Sequence, residues 1–329
     1  MQGRLEHEIR INNNILALLK KAPEEVTEFY YNLQVSKEPT TCLEYIRKIL
    51  NFIEYTHKSP CEITNIDITR YLNSVNYINR NGELVRTSSS YRQGIWSAIN
   101  QFYHFLYLNK KINYNPMISI SRPKTTDNVQ RISLSMQELN KMLLAVENGA
   151  GNARSKARQA KWKERDKLIL FLFMNTGMRK TALSEINISD INYSDNTLTI
   201  IDKRNKIQVY NLTYEMKICI NNWLIKRADF LKGSQEDALF ISSNLKRMNE
   251  KSIYNIVKKY SEEALGYSIS PHKLRASFVS LYYEASGHDI KATCQAVGHA
   301  NIATTSLYVV KKNDARKDAI NFMSKNLKI

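Results

Sequence analysis

The sequence predicts a mainly α-helical protein of two domains: a small all-helical domain, then an α+β domain with a small antiparallel sheet. The chain has 329 residues, of which 43% are hydrophobic, enough for two separate cores. Apolar residues recur mostly at helical spacing. A single stretch, 197–212, shows two alternating or β-branched segments around a polar turn, as a β-hairpin does.

The first half is predicted to contain a polar lead-in over 1–22 and a helical domain over 23–115. Proline at the start of a helix, a capping-box pattern and serines before an apolar stripe mark where its helices begin. These helices are predicted over 23–35, after Thr41-x-x-Glu44, over 68–75 and after 88–90. Residues 116–132 contain two prolines and few large apolar side chains, so they are predicted to form an exposed linker.

The second half is predicted to form one α+β domain over 133–329. It opens with a capping box, Ser135-x-x-Glu138, and a helix that ends near Gly149. The hairpin follows, and Ser270-Pro271 has the N-cap and first-turn pattern of a later helix. The other predicted helices cover 213–231, 249–265, two short stretches beside Gly298 and a tail over 312–329.

The charge balance predicts a polyanionic partner. Lys and Arg number 48 against 31 Asp and Glu, a formal charge of +17, which favours nucleic acid first and an anionic membrane surface second. The longest apolar run, 168–174, is far shorter than the roughly 20 residues of a membrane span. The four cysteines lack CxxC spacing, which is typical of a reducing compartment. We therefore expect a cytoplasmic, nucleoid-associated protein.

A row of basic residues could follow a nucleic-acid backbone. If 154–167 were one helix, four of its basic residues would share a face, which could be a solvated surface or a row that contacts successive phosphates. These residues are Arg154, Arg158, Lys161 and Arg165. Arg92, opposite the apolar stripe of its helix, and residues 246–259 are candidates for base contacts.

Four separated fragments in the last third carry the chemistry. They are Thr176-Gly177-Met178-Arg179, Lys203 in the hairpin turn, His272-Lys273-Leu274-Arg275, and Gly298-His299 followed nine residues later by Tyr308. Two arginines can clamp the non-bridging oxygens of a phosphodiester, and a tyrosine can attack its phosphorus. In this order and spacing the fragments resemble the tyrosine recombinases, most strongly over 166–310.

The resemblance implies a role for each residue. Tyr308 would be the nucleophile that forms a 3′-phosphotyrosine, and Arg179 and Arg275 would bind the phosphate. His272 would accept the tyrosine proton or hydrogen-bond the phosphate, and His299 would donate to a non-bridging oxygen. Lys203 would protonate the leaving 5′ oxygen. Lys206, in the same turn, is an alternative general acid. Lys206 and Arg204 are also candidate DNA contacts.

The resemblance also implies an architecture and partners. The helical domain would be a SAM-like core-binding domain, and the second would be the catalytic domain, together closing on duplex DNA recombination sites. Four protomers would exchange strands through a Holliday junction, with the tail helix 312–329 docking on a neighbour. Neither metal nor ATP is implied, and accessory DNA-bending or directionality proteins are expected partners.

Two positions depart from the family pattern. Many members place an acid three residues after the first arginine and a histidine directly after the second, where this chain has Ala182 and Ala276. Mobile-element integration or excision is the predicted role, which the Lys-, Asn- and Ile-rich composition favours. The alternatives are Xer-type dimer resolution, a type IB topoisomerase, and a catalytically silent DNA-binding accessory protein.

Overall fold

The structure is a computed structural model that divides into two compact units. One unit comprises Arg4–Val129, and the other comprises Gln130–Ile329 with Met1–Gly3. The residues described are 2–80, 82–124, 133–202, 206–298 and 301–306.

The first unit is helical, with one two-stranded hairpin. Its helices are α1 (Gln2–Leu19), α2 (Glu24–Gln34), α3 (Pro39–Thr56), α4 (Asn65–Ser74) and α5 (Ser89–Leu108). Between α4 and α5, β1 (Tyr77–Arg80) pairs antiparallel with β2 (Glu83–Arg86). Aromatic rings fill the core, with Phe29, Phe52 and Phe102 fully buried. Phe29 and Phe102 meet edge to face with ring centroids 5.3 Å apart.

Three features of this unit differ from the sequence prediction. The expected polar lead-in is the helix α1, because Ile11 and Ile15, four residues apart, bury one face of it in the core. Helix α3 begins at Pro39 rather than after Thr41, since proline with its fixed φ occupies the first helical position. The hairpin β1–β2 was not predicted, and every described residue of β2 is exposed.

The predicted linker is partly packed. Met117 is buried in the core of the first unit, and the Trp96 indole donates to the Ile120 carbonyl at 3.1 Å. The Gln93 amide donates to the Pro123 carbonyl at 2.7 Å. Residues 116–123 therefore lie on the helical unit instead of crossing solvent, and residues 125–132 are outside the described part of the chain.

The second unit combines helices with a three-stranded sheet. Its first helices are α6 (Met136–Asn148), α7 (Ala153–Ala160), α8 (Lys163–Thr176) and α9 (Lys180–Glu185). After the sheet come α10 (Tyr214–Leu231), α11 (Glu250–Leu265), α12 (Pro271–Ala285), α13 (Ile290–Ala296) and α14 (Ile302–Ser306). The capping box of α6 forms as predicted: Ser135 Oγ accepts from the Glu138 amide, and the Glu138 carboxylate accepts from the Ser135 amide at 2.8 Å.

The sheet has the order β3 (Ile191–Asn192), β4 (Thr197–Asp202), β5 (Lys206–Asn211), all antiparallel. The predicted hairpin is thus confirmed as β4–β5. Its register pairs Leu198 with Tyr210, Ile200 with Gln208 and Asp202 with Lys206, so these six share one face. On the opposite face Ile207 and Val209 are exposed. The face of Asp202 is the one that meets the rest of the unit.

Among the described residues, no helix is long and apolar enough to span a bilayer.

Candidate active site

Arg179 is presented by a sharp reversal between α8 and α9. Gly177 ends α8 in the left-handed conformation, with φ +58°, and its amide donates to the Phe173 carbonyl at 3.0 Å. A Cβ at this position would lie 2.5 Å from Phe278 Cδ1, so glycine is required both by φ and by the close approach. Arg179 then caps the N-terminus of α9, and about a third of its side chain remains exposed.

Arg275 lies in the interior beside this reversal. It is 2% exposed, and its guanidinium donates to the carbonyl oxygens of Gly177 and of Val297, the latter at 2.7 Å. One side chain of α12 therefore connects the C-terminal end of α8 with that of α13. Such hydrogen bonds from a charged donor are stronger than neutral ones and fix the orientation of the planar fork.

His272 stands on the same helix, one turn before Arg275. Ser270 and Pro271 begin α12 as predicted, with proline at the first helical position. His272 is exposed while Arg275 is buried. His272 thus places its imidazole at the surface, and Arg275, three residues later, places its guanidinium in the interior.

The buried face of the hairpin adds groups that the sequence analysis missed. Asp202, 6% exposed, forms an ion pair with Arg179. The Tyr210 hydroxyl donates to Gln208 Oε1 at 2.6 Å. Burial raises the pKa of the Tyr210 phenol to about 12, against the opposing effects of Arg275 and Arg179. The sequence signal for these groups was the alternation of positions 202, 208 and 210. The pairing register of the two strands is needed to assign these positions to one face.

Strand β5 also touches the segment that leads to position 299. Lys206 Nζ lies 3.5 Å from the Gly298 carbonyl oxygen. A Cβ at Gly298, where φ is +64°, would overlap the side-chain amide of Gln208. The structure therefore brings Arg179, Arg275 and the hairpin face together with Gly298.

The remaining predicted catalytic residues, Lys203, His299 and Tyr308, lie outside the described residues, as do Arg204 and the tail helix 312–329. Their roles stay predictions. In the part of the chain that the structure describes, no three His, Cys, Asp or Glu side chains are grouped as metal ligands would be.

The predicted basic row is divided by the fold. Arg154, Arg158 and Lys161 are exposed at α7, but that helix ends at Ala160, and Trp162 is the N-cap residue of α8. This break changes the helical phase, and Arg165 turns inward to 8% exposure. Its guanidinium donates to Asp166 Oδ1 at 2.8 and 3.0 Å and to the Ile241 carbonyl at 2.9 Å.

The inclusion of Arg165 among the surface cations is therefore wrong. Its guanidinium carbon lies 4.4 Å from the Trp162 ring centroid, a cation–π contact that also holds it in the core. The three exposed residues stay candidates for phosphate contacts.

Arg92 is half-buried near the start of α5 in the helical unit. Its guanidinium donates to Asn76 Oδ1 at 3.1 Å, and its Nε is buried without a hydrogen-bond partner. The residue thus connects α5 to the segment before β1, and its predicted DNA contact stays a prediction. Residues 246–259 span the first part of α11 in the other unit.

Comparison with known proteins places these groups in a family context. The phage integrase family model matches residues 133–315, more than half of the chain. A tyrosine recombinase XerC from Caldanaerobacter subterraneus subsp. tengcongensis is 31% identical over 229 residues. That alignment covers 68% of this chain and 60% of the relative, so the chain spans less than two thirds of the relative's length.

Two solved structures share the fold at low sequence identity. One is the XerH site-specific recombinase bound to palindromic difH substrate in a post-cleavage complex, with a TM-score of 0.69 and 19% identity. The match covers 96% of this chain and 89% of that one. The other is a lambda integrase tetramer bound to a Holliday junction, with a TM-score of 0.63 and 17% identity, covering 88% and 77% of the two chains.

Proposed function

Because the chain belongs to the phage integrase family, as a site-specific tyrosine recombinase of the Xer-like type, we propose that it cuts and rejoins duplex DNA through a 3′-phosphotyrosine. The observation that carries the proposal is the convergence of Arg179 and Arg275 at one reversal. Arg275 contacts the carbonyl of Gly177, two residues from Arg179. Two cations held this way can stabilise the charge that develops on a phosphorane-like transition state.

The proposed reaction needs no oxidant or nucleotide. The Tyr308 oxygen attacks the scissile phosphorus, and the bond to the 5′ oxygen breaks. His272 accepts the tyrosine proton, Lys203 gives a proton to the departing 5′ oxygen, and His299 donates a hydrogen bond to the phosphate. Attack of a 5′ hydroxyl on the phosphotyrosine then reverses these transfers and restores a phosphodiester.

The exposed cations supply the sequence-independent part of DNA binding. Arg154, Arg158 and Lys161 at α7 and Lys206 on β5 are exposed, and the chain carries a formal charge of +17. Lysine and arginine at a surface bind phosphates by releasing counterions, so the affinity should fall steeply with salt. Of the predicted contacts in the second unit, Arg165 is excluded because it is buried and paired.

The family and the two solved complexes support the larger assembly. We propose that the first unit, in which α1 and residues 116–123 pack with the predicted domain 23–115, is the core-binding domain, and that the catalytic domain covers 133–329. Four protomers would act on two DNA sites, with the tail helix 312–329 docking on a neighbour. Accessory DNA-bending or directionality proteins and a cytoplasmic, nucleoid-associated location belong to the same proposal.

For the biological role we propose integration and excision of a mobile element. The high content of Lys, Asn and Ile supports this role. Such a composition is typical of genes in AT-rich bacterial genomes, which fits a mobile element. Recombination between DNA flanking the gene and a second site would sustain this role. Recombination confined to two copies of one chromosomal site would favour dimer resolution instead.

A nicked suicide substrate, in which cleavage cannot reverse, tests the chemistry. Fragments flanking the gene would be incubated in EDTA with wild type, Tyr308→Phe, and Tyr214→Phe as a control at an exposed tyrosine of α10. We expect a covalent adduct on a denaturing gel with wild type and Tyr214→Phe, and none with Tyr308→Phe. An adduct that survives Tyr308→Phe would disprove the assignment of the nucleophile. Tight binding without any adduct would favour the accessory-protein alternative.

A further inference from the structure

The guanidinium of Arg179 has an acidic partner from a distant part of the sequence. Asp202, the last residue of β4, forms an ion pair with Arg179 at the N-cap of α9. The Asp202 side chain is 5% exposed, whereas that of Arg179 is 36% exposed. The carboxylate is thus the fixed, buried member of the pair and the guanidinium is the outward one.

The position that carries the acid in many relatives cannot do so here. Ala182, three residues after Arg179, is 4% exposed and packs in the hydrophobic core of the second unit. No carboxylate at this position can therefore hold Arg179. The acid comes instead from the hairpin, one residue before Lys203.

We propose that Asp202 is a positioning residue for Arg179, whose carboxylate holds the guanidinium in the orientation that receives the scissile phosphate. The inference rests on the proposed function, because it takes phosphate binding as the role of Arg179. A long arginine side chain with a third of its surface exposed samples many rotamers unless a partner selects one. A carboxylate that is itself buried can make that selection.

Asp202 is well placed to be rigid. Strands β4 and β5 pair along their full length, and Asp202 is the partner of Lys206 in the last pair before the turn. Tyr210, on the same face, is close enough to Asp202, Arg179 and Arg275 for all three to act on its phenol. The hairpin face therefore places one carboxylate among both predicted phosphate-binding arginines.

The test measures the single-turnover rate of adduct formation on the suicide substrate. Asp202→Asn keeps the size of the side chain and removes its charge, and we expect a rate loss on the order of 10²-fold at unchanged DNA affinity. Asp202→Glu keeps the charge, so it should cleave faster than Asp202→Asn. If the role of Asp202 were purely steric, Asp202→Asn would be the faster of the two variants. Asp195→Asn, an exposed carboxylate in the β3–β4 turn of the same sheet, should cleave like wild type.

A mutant cycle shows whether Asp202 acts through Arg179. In the Arg179→Lys background, Asp202→Asn should change the rate much less than it does in wild type. Wild-type rates for Asp202→Asn, or full additivity of the two changes, would overturn the inference while leaving the proposed function intact.

A second cycle does not depend on activity. The unfolding free energies of wild type, Arg179→Gln, Asp202→Asn and the double variant give the coupling of the pair even when no DNA is cut. We expect a coupling clearly different from zero, and additive free energies would contradict the ion pair. Absence of any wild-type adduct, with the coupling present, would instead count against the proposed function.

Discussion

An arginine lies near each end of helix α8, Arg165 in its first turn and Arg179 three residues beyond its last residue, and the two have different surroundings. At the N-terminal end Asp166, 1% exposed, accepts hydrogen bonds from Arg165, from Lys259 at 3.1 Å and from the Tyr260 hydroxyl at 2.9 Å. At the C-terminal end Gly177 reverses the chain and Arg179 remains partly exposed beside Asp202. One end is a closed network, and the other is partly open to solvent.

The two ends differ in whether the guanidinium keeps contact with solvent, because Arg165 is buried and paired whereas Arg179 is 36% exposed. Burial lowers the pKa of the Lys259 amine and raises that of the Tyr260 phenol. Hydrogen bonds to the shared Asp166 carboxylate hold the closed end together. The hydrogen bonds of Asp166 to Lys259 and Tyr260 join α8 to α11. The open end keeps a guanidinium in contact with solvent, where a phosphate can reach it.

Removing the shared carboxylate should have the largest effect. Asp166→Ala leaves Arg165 and Lys259 without their common partner in a buried place, so unfolding free energy should fall by about 3–5 kcal/mol. Denaturant unfolding measures it. Asp229→Ala, which breaks an exposed pair with Lys226, should cost less than about 1 kcal/mol. Equal losses would mean that the closed end contributes no more than a surface pair.

Next in size is a change at the open end. Arg275→Lys cannot donate to both the Gly177 and Val297 carbonyls from one planar fork, so adduct formation should slow by about 10²–10³-fold. Arg227→Lys is the matched control, because Arg227 is also buried and donates to the backbone carbonyl of Ala238. The single-turnover cleavage rates of the two variants, compared at equal folded fractions, distinguish an effect on the site from an effect on packing. Equal slowing in both variants would attribute the effect to packing alone.

A smaller effect is expected at α7, next to the closed end. Replacing Arg154, Arg158 and Lys161 by alanine should weaken DNA binding at all sequences and reduce the slope of log Kd against log salt by about 0.9 for each lost phosphate contact. Titrations at several salt concentrations measure this slope. Lys226→Ala, an exposed lysine of α10, should leave the slope unchanged. An unaltered slope in the triple variant would identify the row as a solvated face.

The smallest effect concerns an ion pair within the helical unit, between Lys58 and Asp67. Lys58 and Thr64 hydrogen-bond Asp67 and lower its pKa to about 2, below the roughly 4 of an unfolded chain. This stabilisation is complete above pH 4 and is lost as the pH falls toward 2. Asp67→Asn should therefore reduce stability at pH 7 and converge with wild type near pH 2. Parallel curves over this range would contradict the assignment.

The sequence was sufficient where local pattern and local structure agree. The capping box at Ser135, the hairpin β4–β5 and the proline-led helix α12 follow from short-range chemistry, and the structure has all three. The ordered fragments predicted that Arg179 and Arg275 would lie in one site, and Arg275 donates to the carbonyl of Gly177, two residues before Arg179.

Features that depend on tertiary contacts were missed. Arg165 was predicted at the surface because the sequence pattern does not show the break between α7 and α8, where the Trp162 ring stacks on Phe230 with centroids 4.2 Å apart. Helix α1 was predicted to be a polar lead-in, although Ile11 and Ile15 are buried in the core and Leu18 and Leu19 pack against it. Asp202 was missed because its partner is 23 residues away in sequence.

Arginine-to-lysine changes at the two ends of α8 test the account most directly. Unfolding free energy and single-turnover cleavage would be measured for Arg165→Lys and Arg179→Lys. We predict that Arg165→Lys lowers stability and leaves the cleavage rate of the folded protein unchanged. Arg179→Lys should slow cleavage by at least about tenfold with little change in stability. The opposite pattern, or equal changes in both quantities for both variants, would contradict the division of α8 into a structural and a catalytic end.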